Sequence, residues 1–223
     1  MARSGSKGIA NKNLKKIGKF SLVSLVGKIC KGIKIIDNSV ISTDSIKIGK
    51  EGNKNNLDFF FLRPKKISGD KIPDQEVLFH ALKKAEIKYK KQFDIVVSLP
   101  PTTPTRKRGE VVKAIKKMID KKFSSLWTVS ITDSKFHPDK ALKISKNNLK
   151  FFTEKGRTIF YRQQLNKIYH RNGVAYVVRR NLIQNKILIN RNTGFLVSKT
   201  NHISIDTKKD LIKAKKLILS DNI

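Results

Sequence analysis

Apolar residues at Leu22, Leu25, Val26, Ile29, Cys30 and Ile33 recur at helical spacing and form a single stripe. Directly after it, Ser39-Val40-Ile41-Ser42 reads as a strand. Val77, Leu78, Ala81, Leu82 and Ala85 repeat the helical spacing, and residues 93–99 (FDIVVSL) form a buried strand halted by Pro100 and Pro101. Val111, Val112, Ile115, Met118 and Ile119 predict a third helix. Residues 126–131, 174–178 and 203–205 predict further strands, and Leu211, Ile212 and Leu219 mark a last helix. Alternation of this kind predicts an α/β domain with a mainly parallel sheet. Residues 135–171, rich in Lys, Asn and Gln with no clear period, read as an excursion from that sheet.

The length of 223 residues fits one domain, taken here as 1–223, with the excursion as its appendage. Forty-nine Lys and Arg against 17 Asp and Glu give a net charge of +32. Such a charge raises a nucleic-acid surface or an anionic membrane as a partner. The lysines, however, are spread along the whole chain (Lys15, Lys65, Lys90, Lys116, Lys215) and accompany abundant Asn and Ile, which points to solvated faces rather than a dedicated polyanion site. No stretch approaches the roughly 20 apolar residues of a membrane span. Met1 to Ala10 lacks the apolar core of a secretory signal, so a cytoplasmic location is expected. Cys30, the only cysteine, excludes an internal disulfide and reads as a buried thiol.

Four segments carry candidate chemistry. Residues 2–13 combine glycines, free amides and cations, and read either as a loop wrapping a polyphosphate or as a basic tail. Residues 100–106 (PPTTPTR) follow a buried strand, where open α/β sheets place ligands, although a stiff proline loop gives the same pattern. Tyr161 to Leu165 with His170 to Gly173 form the most polar approach to a strand. In residues 202–207, alternation puts Ser204 and Asp206 on one face. Thr207 and Asp210 have capping-box spacing, which makes Asp210 structural. No two of the four histidines have metal-binding spacing, and none is assigned a catalytic role.

Taken in order, ARSGSKGIANKNLKKI (2–17), VISTDS (40–45), FLRP (61–64), ISGDKIP (67–73), PPTTPTR (100–106), HPDK (137–140), RQQL (162–165), YHRNGVAYVVRR (169–180) and SIDT (204–207) resemble the acylneuraminate cytidylyltransferases, also called CMP-sialic acid synthetases. The resemblance covers nearly the whole chain. It implies a Rossmann-like nucleotidyltransferase domain with a small dimerisation projection at about 135–171, and hence a homodimer. It also implies transfer of CMP from CTP to the anomeric hydroxyl of a nonulosonic acid, with release of pyrophosphate.

The attack of a sugar hydroxyl on the α-phosphorus builds negative charge on the departing pyrophosphate, so cations must be positioned there beforehand. The resemblance points to Arg3, Lys7 and Lys12, with Arg3 and Lys12 as the catalytic pair. Ser6 and Asn13 would bond phosphate or nucleotide, and Arg63 would read the cytosine side. The sugar carboxylate calls for a forked cation, for which Arg162 is the choice, with Lys140 and Asn172 as further contacts. Mg²⁺ or Mn²⁺ is expected to bridge the triphosphate with Asp206 as its ligand. Two other readings are a basic nucleic-acid-binding protein and an enzyme activating a different keto sugar acid; no specific nucleic acid and no membrane are expected.

Three departures stand out. The family strand reads SIDID, whereas Ser204 replaces its first aspartate. Pro100 stands where many members carry a glutamine that touches the sugar, leaving legionaminic, pseudaminic and N-acetylneuraminic acids open. In the family a hydrophobic central strand precedes the ARSGSKG loop, whereas only Met1 precedes Ala2 here. The resemblance therefore implies an upstream start or a truncation, with two unpaired backbone edges and an apolar groove where that strand belongs.

Overall fold

The computed structural model describes residues 1–6 and 8–220. After the first loop, β1 (Lys16–Ile17) and β2 (Phe20–Ser21) form a small hairpin that turns at Gly18, whose φ of 56° suits glycine. Ser21 caps α1 (Leu22–Cys30) by accepting the Ser24 N–H at 3.1 Å. The cap is reinforced by α2 (Ile46–Asn53), because Glu51 accepts the hydroxyls of both Ser21 and Ser24. Next come α3 (Asp74–Tyr89), β3 (Ile95–Ser98), α4 (Arg108–Asp120) and β4 (Ser125–Ile131). Two further strands, β5 (Leu142–Ser145) and β6 (Asn148–Phe151), lie in the excursion. The chain finishes with β7 (Tyr169–Arg179), α5 (Arg180–Gln184), β8 (Thr193–Val197) and α6 (Lys208–Ser220).

The main sheet has the order β3-β7-β4-β8. Strands β3, β4 and β8 point the same way, with β7 running against β3 and β4 between them. The helix stripes predicted from the sequence form α1, α3, α4 and α6. One core unites Val23, Val26, Val111, Ala114, Ile115, Met118, Leu126, Ala175 and Val177; a second joins Ile9, Ile17, Leu22, Ile205 and Ala214. Cys30 is buried in the first core as a free thiol, and burial pushes its pKa up.

Three strand expectations need correction. Residues 39–42 are extended, but only Val40 makes a bridge, in parallel with Asp58. Residues 203–205 join no ladder. The sheet edge beside β4 belongs to β8, whose Thr193-Gly194-Phe195-Leu196-Val197 run escaped the alternation pattern because its apolar residues are consecutive. Finally, β7 is longer than residues 174–178 and begins inside the expected excursion, at Tyr169. It crosses a register irregularity opposite Trp127 to Val129, with Gly173 at φ 70°.

The expected groove is present. A cavity of about 310 Å³ runs between residues 37–42 and 93–99, lined by Val23, Val26, Leu57, Leu78, Leu82 and Ile115 among others. Strand β3 has no strand partner on this side among the described residues. Ser42 Oγ and Ser98 Oγ, both buried, find no hydrogen-bond partner there. The chain enters the groove at its end: Ala2 is buried and donates its N–H to the Ser42 carbonyl at 2.9 Å. Burial lowers the Met1 amino group to about 6, aided by the nearby charges of Arg63 and Arg106.

Candidate active site

Two buried residues, Ala2 and Ile9, anchor the glycine-rich loop at its ends, while Ser4, Gly5 and Gly8 between them are exposed. Asn11, in the left-handed region at φ 52°, starts a single turn over Lys12–Leu14 that brings the chain back to the loop's base. There buried Asn13 donates Nδ2 to the Arg3 carbonyl at 2.8 Å. This bond fixes the loop itself. Ser6 is half-buried, with its N–H on the Ser4 carbonyl, and Lys7 lies outside the described residues.

Three cations of the site each face a carboxylate. Arg3 pairs with Asp70 of the ISGD segment. Lys12 Nζ lies 3.0 Å from Asp206 Oδ1 and donates to the Ile205 carbonyl at 2.7 Å. Arg63 is buried, donates Nε to Ser68 Oγ at 3.1 Å, and comes within 4.0 Å of Asp44; burial lowers its pKa despite that neighbour. Asp44 also takes both the N–H and the hydroxyl of Ser4. Asp44 and Asp70 carried no role in the sequence reading, though both sit in motifs that were recognised; their spacing gave no hint of which loop cation each would meet. Arg3 and Asp70 are each about a third exposed and Asp206 is 72% exposed, positions where an ion pair is worth only about 0–1 kcal/mol, whereas the Lys12 side chain is 15% exposed.

Asp206 is held by its backbone rather than by a sheet. Ile205, fully buried, donates its N–H to the Thr102 carbonyl at 2.8 Å, and Ile203 donates to Thr105 Oγ1 at 3.1 Å. The Asp206 side chain is 72% exposed. Ser204, in place of the family's first aspartate, donates its hydroxyl to Asp206 Oδ2 at 3.3 Å. Thr207 and Asp210 form the expected capping box, and hydrogen bonds from Thr207 hold the Asp210 carboxyl below its ordinary value. Among the described residues no three metal-binding side chains cluster. A single exposed carboxylate still fits Mg²⁺, which commonly binds through one or two carboxylates plus substrate phosphates.

The residues expected on the sugar side are not gathered in the same way. Asn172 is buried, with Nδ2 on Ser130 Oγ (3.1 Å) and Ser198 Oγ (2.9 Å), and Oδ1 accepting the Val174 N–H. Lys140 and Arg162 are exposed on the excursion, and their side chains make no hydrogen bond or ion pair among the described residues. A Cβ on Gly173 would fall 2.4 Å from Thr103 Oγ1, which explains glycine where the proline loop touches β7. Arg106 ties the same contact by donating to the Pro100, Gly173 and Val174 carbonyls, and burial lowers it to about 10.

A second cavity, of about 430 Å³, opens beside this strand and was not foreseen from the sequence. Its wall pairs Trp127 with Tyr176 at 4.9 Å between ring centroids, and Arg171 lies 5.5 Å over the Trp127 ring. Asp74 and Gln75, at the start of α3, and residues 186–189 complete it. The aromatic residues come from two strands far apart in sequence, so only the register of β4 on β7 reveals them. Phe60 and Phe61, by contrast, pack edge-on against Tyr89 and His80 and offer no exposed platform for bases.

The chain combines a glycine-rich loop, whose cations are paired with carboxylates, and a mixed four-stranded sheet covered by helices. A model of the Cytidylyltransferase family matches residues 1–220, and the chain belongs to that family. It is 29% identical over 228 residues to the post-translational flagellin modification protein B of Campylobacter coli, covering 99% of this chain and 96% of that protein. It is 28% identical over 224 residues to the CMP-N,N'-diacetyllegionaminic acid synthase of Campylobacter jejuni, covering 100% and 94%. Among solved structures, CMP:2-keto-3-deoxy-manno-octonic acid synthetase complexed with CTP superimposes with a TM-score of 0.70 at 14% identity, over 99% of this chain and 96% of the other, a likeness of fold.

Proposed function

We propose that this cytidylyltransferase transfers CMP from CTP to the anomeric hydroxyl of a nonulosonic acid and releases pyrophosphate. The observation that carries the reading is the convergence of Lys12 and Asp206 under the glycine loop, with Arg3 at its rim. Arg3 and Lys12 leave their carboxylates for the β- and γ-phosphates and stabilise the charge that grows on the leaving pyrophosphate. The Ser6 hydroxyl and the backbone amides of Gly5 and Gly8 would face the phosphates. Arg63, held by Asp44 and Ser68, would supply a fixed donor to the base. Asp206, helped by Ser204, would hold Mg²⁺, which when bound neutralises phosphate charge and aligns the triphosphate.

The second cavity suits the sugar acid: an aromatic wall for the apolar face of the ring, and Arg171 at its mouth for the carboxylate. Arg162 and Lys140 would reach this substrate from the excursion, and Asn172 sets the strand that carries Arg171 and Tyr176. The likeness to a diacetyllegionaminic acid synthase supports a sialic-type substrate. With CTP as donor the reaction belongs in the cytoplasm. The deciding experiment is pyrophosphate release with CTP against a panel of nonulosonic acids and an eight-carbon keto acid. CTP is expected to exceed ATP and GTP at least tenfold, and equal turnover with all three would overturn the reading.

The same proposal includes a homodimer formed through the excursion. Ile144, Leu149, Phe160 and Tyr161 are 68–79% exposed there, an apolar surface that a lone chain leaves in water. Sedimentation should show a dimer. Deleting the β5-β6 hairpin should give monomers with lowered turnover, since Lys140 and Arg162 flank it. A monomeric wild-type chain with full activity would remove this link.

A further inference from the structure

One carboxylate that lies outside the recognised substrate motifs ties two parts of the site together. Glu110, in the first turn of α4, accepts His202 Nε2 at 3.0 Å, Thr200 Oγ1 at 3.5 Å and the Lys107 N–H at 3.2 Å, together with the Ser198 hydroxyl. Ser198 Oγ in turn accepts Asn172 Nδ2 at 2.9 Å. On the opposite side, His202 Nδ1 faces the Thr105 hydroxyl at 3.4 Å, and Thr105 Oγ1 accepts the Ile203 N–H. The His202 side chain is 1% exposed and that of Glu110 18%. Burial pushes the Glu110 carboxyl up, but the bonds from His202, Lys107 and Ser198 more than offset it and leave it below its ordinary value. A carboxylate kept ionised by four donors holds each of them in place.

We propose that Glu110 and His202 are positioning residues that lock residues 198–206 against α4 and the 102–105 loop, fixing Asp206 and the Ile205 carbonyl under Lys12 relative to Asn172. The proposal rests on the reading of Lys12 and Asp206 as parts of the nucleotide site. Ile203 and Ile205 hang from the 102–105 loop by one N–H each, and β8 ends at Val197. The Ser198 N–H makes the last bond to β4, at the Val129 carbonyl, so the buried pair is a side-chain clamp on residues 199–206, which the sheet does not hold.

The test uses His202→Ala, Glu110→Ala, the double variant and His202→Gln, whose amide can still donate to Glu110. Turnover is measured with CTP, Mg²⁺ and the sugar acid, and amide hydrogen exchange is followed in the same proteins without substrates. Each alanine variant is expected to lose about tenfold in kcat while KM for CTP holds, as a displaced group costs rate more than ground-state binding. The double variant should fall no further than the worse single one, because both remove one clamp. Exchange at Ile203 and Ile205 should quicken about tenfold or more with β4 and β7 unchanged, and His202→Gln should recover part of both effects. Additive losses, or protection at Ile203 and Ile205 equal to wild type, would overturn the proposal. If the alanine variants fail to fold, Glu110→Gln carries the same comparison. A wild-type chain that releases no pyrophosphate overturns the transferase reading instead, while the exchange result alone still decides the clamp.

Discussion

Lys12→Ala and Asp206→Asn should each lower turnover at least tenfold while leaving the melting temperature nearly unchanged. The contrast follows from where the two groups sit. Asp206 is 72% exposed, so although the Lys12 side chain is only 15% exposed, solvent screens the pair from the aspartate side and it contributes about 1 kcal/mol to folding. In the proposed function the same lysine would meet the charge growing on the leaving pyrophosphate, where loss of one preorganised donor typically costs about 2–4 kcal/mol of transition-state stabilisation. Arg3→Ala should behave alike, since its partner Asp70 is also at the surface. Asp206→Asn should in addition remove most of the Mg²⁺ dependence, and Ser204→Asp should leave activity intact or lower the Mg²⁺ concentration needed. Near-wild-type turnover in both Lys12→Ala and Asp206→Asn would sink the site assignment. Full activity in excess chelator would show that Asp206 holds no metal.

The elements legible in the sequence are those whose signal is local. The stripes of α1, α3 and α4 are complete within one helix each, and the FDIVVSL run needs no partner to read as a buried strand. The β8 run gives no alternation because its apolar residues are consecutive, and only its pairing with β4 identifies it as a strand. Residues 203–205 show the opposite case. The alternation is real, since Ile205 is fully buried and Asp206 exposed, but their N–H groups find Thr102 and Thr105 instead of a neighbouring strand. In the site, the loop cations could be named from the motif, whereas their carboxylate partners Asp44 and Asp70 are set by how residues 40–45 and 67–73 fold back on the loop. Asn13 and Asn172 show that a polar residue inside a motif can serve the backbone: both are buried and bonded to protein groups.

Joining about eight residues, an apolar run ending in proline, to Ala2 should raise both the melting temperature and CTP turnover. The groove between residues 37–42 and 93–99 has a volume of about 310 Å³, apolar walls, an unpartnered edge on β3, and two buried serine hydroxyls without partners. An extended segment there would satisfy backbone groups on both edges and cover walls now open to water. Filling a void left by one large-to-small core change is worth about 2–5 kcal/mol, against a total domain stability of about 5–15 kcal/mol. The gain should therefore be many degrees. Turnover should rise with it, because Ala2 leads directly into Arg3 and Ser4, and a strand fixed on both sides aims the loop that follows. A pH signature separates this from general stabilisation. The Met1 amine is lowered to about 6 when folded, from an ordinary 8.0, so between these values the unfolded chain binds more protons and stability rises with pH. Replacing that amine by an amide removes the group, so the extended protein should lose the rise between pH 6 and pH 8. Equal melting, equal turnover and an unchanged pH slope in the two proteins would mean that the groove takes no strand and that Ala2, Asn13 and Asp44 hold the first loop without one.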